Sequence, residues 1–104
     1  MRTLRSIILF SFFATACGGK PDRVDDINAL EGDAENGALV YAANCAACHG
    51  ADGTGGSGPD ITGEDDQDEV TEVVLNGEGG MPAYDGELSD QEIADVVAFV
   101  IDGL

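Results

Sequence analysis

The chain has no tryptophan, a single histidine, and only four lysine and arginine residues against 21 aspartate and glutamate residues. Its formal net charge is −17 over 104 residues. A surface of that sign excludes nucleic acid as a partner, because phosphate backbones are held by clustered positive charge. No apolar run approaches the roughly 20 residues that a membrane-spanning helix needs. No internal repeat and no convincing strand pattern is present. Core-forming material is modest, and one small domain of this size is marginally stable unless something adds to its core.

What is present begins with "MRTLRSIILFSFFATA". Arg2 and Arg5 precede the apolar run Ile7 to Phe13, and small residues follow. That is the order of a secretory signal, and it assigns residues 1–16 to export rather than to the domain. Cys17 comes next, and "ATAC" resembles the lipobox of bacterial lipoproteins, with Ala14 where leucine is usual. The alternative is ordinary cleavage after the A-x-A of Ala14, Thr15 and Ala16, which leaves a free terminal thiol in an oxidising compartment. The lipoprotein resemblance implies that Cys17 is acylated and anchors the protein to a bacterial membrane, facing the periplasm or the exterior. In a Gram-negative cell, Gly18 in place of aspartate implies the outer membrane. Removal of residues 1–16 takes two of the four basic residues and none of the acidic ones.

Residues 17–32 contain "GGKPDRVDDINALEG", rich in Gly, Pro and Asp, and read as a flexible tether. The domain proper is expected at residues 33–104. Asp33 is a good N-cap for a first helix over "AENGALVYAANCAAC", with Leu39, Val40 and Ala43 on its apolar side. Gly37 inside it costs about 1 kcal/mol against alanine and marks a close approach by another element. A glycine-rich loop runs from Gly50 to about Gly63. "EDDQDEVTEVVLNG" predicts a second helix with acidic residues in its first turn, Val70, Val73 and Val74 on one face, and Gly77 as its stop. After the loop "GEGGMPAYDGE", Ser89 and Glu92 form a capping box, with Leu88 and Ile93 as a hydrophobic staple. Ile93, Val96, Val97, Val100 and Ile101 then make a single apolar face. The expected class is all-α, three helices with two long loops.

The chemistry concentrates in "NCAACHGADGTGGSGP", Asn44 to Pro59. Three uses of Cys45, Cys48 and His49 compete. Structural zinc needs four ligands, usually as two pairs, and no second pair exists. A redox dithiol belongs at a helix start after a strand, and here the pair ends a helix in a chain without strands. Cys-x-x-Cys-His is also the attachment motif of c-type haem. On one helical turn, Cys45 and Cys48 can form thioethers with two vinyl groups, and His49 is brought under the iron. A covalently held haem would supply the core that the chain lacks. His49 is the only histidine, so a second axial histidine from this chain is excluded. Met1 leaves with the signal, and Met81 in "GGMPAY" is then the one methionine left. Gly79 and Gly80 would let the backbone approach the ring, and Pro82 stiffens the loop. Elimination and context favour Met81 as the second axial ligand.

With those motifs in order, "NCAACHG", "DGTGGSGP", "GGMPAY" and "LSDQEIADVVAFV", the chain resembles the class I c-type cytochromes of the small bacterial mono-haem kind, over about residues 33–104. The resemblance implies a three-helix fold wrapped around one covalent haem c with its iron. It implies that the Pro59 carbonyl accepts a hydrogen bond from His49, fixing its tautomer. It also implies a helix crossing in which Gly37 and Tyr41 meet Val96 and Phe99. Many relatives carry a lysine ring around the haem edge, and this chain has almost no lysine, so partner choice is not carried over.

His/Met ligation leaves no open iron position and raises the potential relative to two histidines. The expected function is one-electron transfer between membrane-associated or periplasmic redox proteins; the acidic surface points either to basic docking surfaces on those partners or to solubility in high salt, against the plain reading of a solvated surface. An enzyme such as a peroxidase lacks a distal histidine or arginine here. A fixed relay subunit of a larger oxidoreductase, and a gas sensor in which Met81 yields, are the remaining alternatives.

Overall fold

The computed structural model describes residues 22–104. The expected export signal over residues 1–16, Cys17 and Lys20 lie outside the described residues. Among the described residues five helices follow in order: α1 (Asp22–Asn28), α2 (Ala34–Asn44), α3 (Ala46–His49), α4 (Gln67–Asn76) and α5 (Asp90–Gly103). Among the described residues there is no strand, only isolated bridges pairing Glu78 with Met81 and Asp85 with Leu88. The three longer helices lie where hydrophobic spacing and capping residues place them.

The principal packing is α2 along α5. Asp33 caps α2, its carboxylate accepting from the backbone N–H groups of Glu35 and Asn36. Ser89 and Glu92 close a reciprocal capping box on α5. Ile93, Val96, Val97 and Val100 are all buried, and Leu88 packs against the same core. At the crossing, a Cβ on Gly37 would stand 1.9 Å from the Asp95 carbonyl oxygen and 2.9 Å from Phe99 Cβ. Only a residue without a side chain fits there. The Tyr41 and Phe99 rings lie 5.3 Å apart in a tilted arrangement. At Gly37 the crossing meets the Asp95 backbone and Phe99, while Val96 and Tyr41 both line the cavity described below.

Asp95 has no counterpart in the sequence reading. It is 4% exposed. Its carboxylate accepts from the Asp33 backbone N–H, the Asn36 amide and the Gln91 amide, each at 2.8 Å. Burial pushes this carboxyl up, but the three donors outweigh it and hold the group below its ordinary value.

Two expectations are corrected. The tether does not extend to residue 32, because Asp22–Asn28 forms a helix. Val24 and Ile27, one turn apart, bury against the core, with Ile27 fully covered. A single turn of apolar spacing is too short to stand out as a period in a Gly- and Asp-rich stretch. The apolar side of α2 is the expected one at Val40, and at Gly37 and Tyr41 as the resemblance implied, but not at Leu39 and Ala43. Gly37, Val40 and Tyr41 face inward, while Leu39 is 70% exposed and Ala43 lies on the surface.

Candidate functional site

Cys45 breaks the first long helix. An unbroken helix would pair the Asn44 carbonyl with the Cys48 N–H. Instead the Tyr84 hydroxyl donates to that carbonyl at 3.0 Å. The Cys48 N–H turns back to the Cys45 carbonyl at 3.2 Å. Cys45 takes φ −118° and ψ −31°, well off the helical φ. The helix expected to run through Cys48 is thus split into α2 and the short α3, which carries Cys48 and His49.

His49 is buried, and its Nδ1 lies 2.8 Å from the Pro59 carbonyl oxygen. A carbonyl can only accept, so Nδ1 carries the proton and Nε2 keeps its lone pair. The glycine-rich loop is folded back onto this turn. The Gly55 N–H donates to the His49 carbonyl at 2.7 Å, and the Gly58 N–H to the Cys48 carbonyl at 2.8 Å. A Cβ on Gly58 would press within 3.1 Å of the imidazole, so the ring position depends on a bare backbone there.

Met81 is carried by the connection between α4 and α5. Glu78 and Met81 exchange backbone hydrogen bonds of 3.2 and 2.9 Å, closing a tight turn. Gly77 ends α4 with φ +78°, and a Cβ there would stand 2.7 Å from the Met81 carbonyl. Gly79 and Gly80 line the cavity, and a Cβ on either would meet nothing within 4 Å. Beyond the turn, the Tyr84 and Asp85 N–H groups donate to the Val74 and Leu75 carbonyls at 3.0 and 3.1 Å. The far stem of the loop is thereby sealed onto the end of α4.

These segments enclose one cavity of about 650 Å³, within the roughly 300–1,000 Å³ of cofactor pockets. Val70, Val73 and Val74 of α4 and Val96 and Val100 of α5 line it, together with Tyr41, Ile61 and Tyr84. Cys45, Cys48, His49, Pro59 and Met81 line the same space. Asp60, Glu64, Glu69 and Glu78 also border it. Val70, Val73 and Val74, expected on one face of their helix, all face this cavity. Tyr84 was not singled out by sequence, although a hydroxyl-bearing aromatic three residues after Met81 was its available signal.

The donor set can be tested against each candidate chemistry. Among the described residues, no three His, Cys, Asp or Glu side chains converge as a bare metal site requires. Burial, with the neighbouring Cys48 thiol second, pushes the Cys45 thiol up to about 11. A redox dithiol needs the opposite shift, since the thiolate is the nucleophile. Two thiols, an imidazole lone pair and a thioether around an apolar cavity fit a large apolar macrocycle carrying iron.

Comparison with known proteins agrees. A family model described as cytochrome c oxidase, cbb3-type, subunit III matches residues 32–100. The cytochrome c6 of Picosynechococcus sp. is 40% identical over 90 residues, spanning 71% of this chain and 76% of that protein. The cytochrome c6 of Leptolyngbya boryana is 38% identical over 78 residues, spanning 67% and 92%. Among solved structures, cytochrome c6 from the diatom Phaeodactylum tricornutum superposes with a TM-score of 0.61 at 36% identity, covering 67% of this chain and 92% of that one. The chain belongs to the class I c-type cytochromes, electron carriers with one covalently bound haem c and its iron.

Proposed function

We propose that the protein is an exported, lipid-anchored one-electron carrier in which His49 and Met81 are the axial iron ligands and Cys45 and Cys48 the thioether attachment points. Bound there, the haem supplies the one-electron Fe(III)/Fe(II) couple. The residues do the rest. The Pro59 carbonyl fixes the His49 tautomer and orientation. The valines of α4 and α5 exclude water, and Met81 closes the remaining position. The single observation that carries this reading is that His49 and Met81, 32 residues apart, line one apolar cavity with both cysteines.

The carboxylates of Asp60, Glu64, Glu69 and Glu78 beside that cavity favour a redox partner with a basic docking surface. Acylation of Cys17 would tether the carrier, and mass spectrometry of the mature N-terminus tests that point; an unmodified thiol would refute it. A second reading, a fixed relay subunit of an oxidase, is favoured by the description of the matching family model. Copurification with a catalytic partner distinguishes it.

The central test is Met81→Ala in the holoprotein. His/Met ligation should give a weak charge-transfer band at the red end of the ferric spectrum. The substitution should abolish the band, lower the potential and open the iron to azide or CO, leaving the haem covalently attached. A variant that keeps both band and potential refutes the ligand assignment.

A further inference from the structure

The helix α1 precedes the stretch that the family model matches. Its contacts are specific. It packs on α4 and α5, the two helices between which the Met81 loop is strung. On the α4 side, Asn28 accepts from the hydroxyl of fully buried Thr71 at 2.6 Å and donates to Asp68 at 2.7 Å. On the other side, Arg23 forks to Asp85 at 3.1 Å and Asp90 at 2.7 Å. Asp85 is the residue whose N–H seals the loop onto α4, and Asp90 begins α5. Arg23 is also the only lysine or arginine among the described residues. The one cation of the domain therefore holds the outgoing stem of the Met81 loop, while Val24 and Ile27 anchor the helix that carries it.

We propose that α1 is a strap that ties the outgoing stem of the Met81 loop to the bodies of α4 and α5, with Arg23 its positioning residue, so that Met81 leaves the iron less readily than the loop alone would allow. The proposal rests on the reading of Met81 as axial ligand. Opening the iron requires the segment between Gly77 and Ser89 to swing away from the cavity. The Arg23 contact with Asp85 must then break or drag α1 from its seat on α4 and α5, which adds to the cost of the open state. The polar partners of Arg23 are Asp85 and Asp90, neither of which lines the cavity.

The test uses the full-length holoprotein, measuring the ferric charge-transfer band, the rate of CO binding to the reduced form and the melting temperature. Arg23→Ala should speed CO binding roughly two- to fivefold, as loss of an exposed but forked ion pair allows. Arg23→Lys should recover part of the difference, because an ammonium cannot fork to both carboxylates in the same geometry. Thr71→Val, which removes the bond that seats Asn28 of α1 on α4, should loosen the strap and speed CO binding as well. Gly37→Ala, which loosens the distant crossing of α2 and α5, should lower the melting temperature without a comparable rise in rate. If Arg23→Ala and Thr71→Val bind CO at the wild-type rate, or if Gly37→Ala accelerates it equally, the strap is refuted while the Met81 reading stands. If the wild-type protein itself lacks the band, the Met81 reading fails and the strap falls with it.

Discussion

Gly37→Ala is the sharpest test of the fold. A Cβ at this position would lie 1.9 Å from the Asp95 carbonyl oxygen, where real Cβ atoms stay beyond 3.0 Å. The obstacle is backbone, so α2 and α5 must part by about 1 Å, a shift in the overpacking range of about 1–3 kcal/mol. The same shift moves the Asp33 N–H and the Asn36 amide, both 2.8 Å from Asp95, toward the limit of hydrogen bonding. A hydrogen bond to a charged group contributes about 1.5–3 kcal/mol. Alanine returns about 1 kcal/mol of helix propensity. The net loss is about 1.5–5 kcal/mol, and at about 4–8 °C per kcal/mol for a domain of this size the holoprotein should melt at least about 6 °C lower. Leu39→Ala, on the exposed face of the same helix, should stay within about 0.5 kcal/mol of wild type. A Gly37→Ala holoprotein that melts at the wild-type temperature would refute the crossing.

Three further outcomes follow from the same geometry. The Asp95 carboxyl is held below its ordinary value in the folded state, so its contribution is complete above pH about 4 and is lost as pH falls through the folded value. The stability difference between wild type and Asp95→Asn, read from melts across pH 2–7, should shrink on acidification over that window; a pH-independent difference would contradict it. Tyr84→Phe removes the donor to the Asn44 carbonyl and should cost about 1 kcal/mol in denaturant unfolding, with no loss expected only if the break at Cys45 is set by something else. Electron transfer to a small cationic acceptor should slow as salt is raised, while an anionic acceptor of similar potential should gain; equal, salt-independent rates would remove the role of the acidic surface.

The helices that matter were legible where the signal is local. The box of Ser89 and Glu92 and the i, i+3, i+4 face of α5 are complete within one element, and Asp33 and Gly77 mark their helix ends by side chain or by lack of one. The cavity was legible by chemistry, since Cys45, Cys48, His49, Pro59 and Met81 were all named from the sequence and all line it. What could not be read depends on partners distant in sequence. Whether Leu39 or Tyr41 faces inward depends on where α5 lies. Asp95 looks like a surface acid until the N-terminus of α2 supplies its donors. The helix α1 has one turn of apolar spacing, and its polar partners are Asp68, Thr71, Asp85 and Asp90, residues 40 to 67 positions away.

The bond from Tyr84 to the Asn44 carbonyl has a consequence for the order of assembly. The attachment turn is local, closed by the His49 N–H on the Cys45 carbonyl at 3.0 Å, and can form while the rest of the chain is open. The cavity is not local, because residue 84 must find residue 44 before its walls meet, and long-range closure of this kind comes at an entropic cost that is recovered late. In the finished shell Cys45 is already half-buried in the wall. A large planar ring is therefore best admitted to both thiols before the shell closes, and the polypeptide then folds around a group that it already carries.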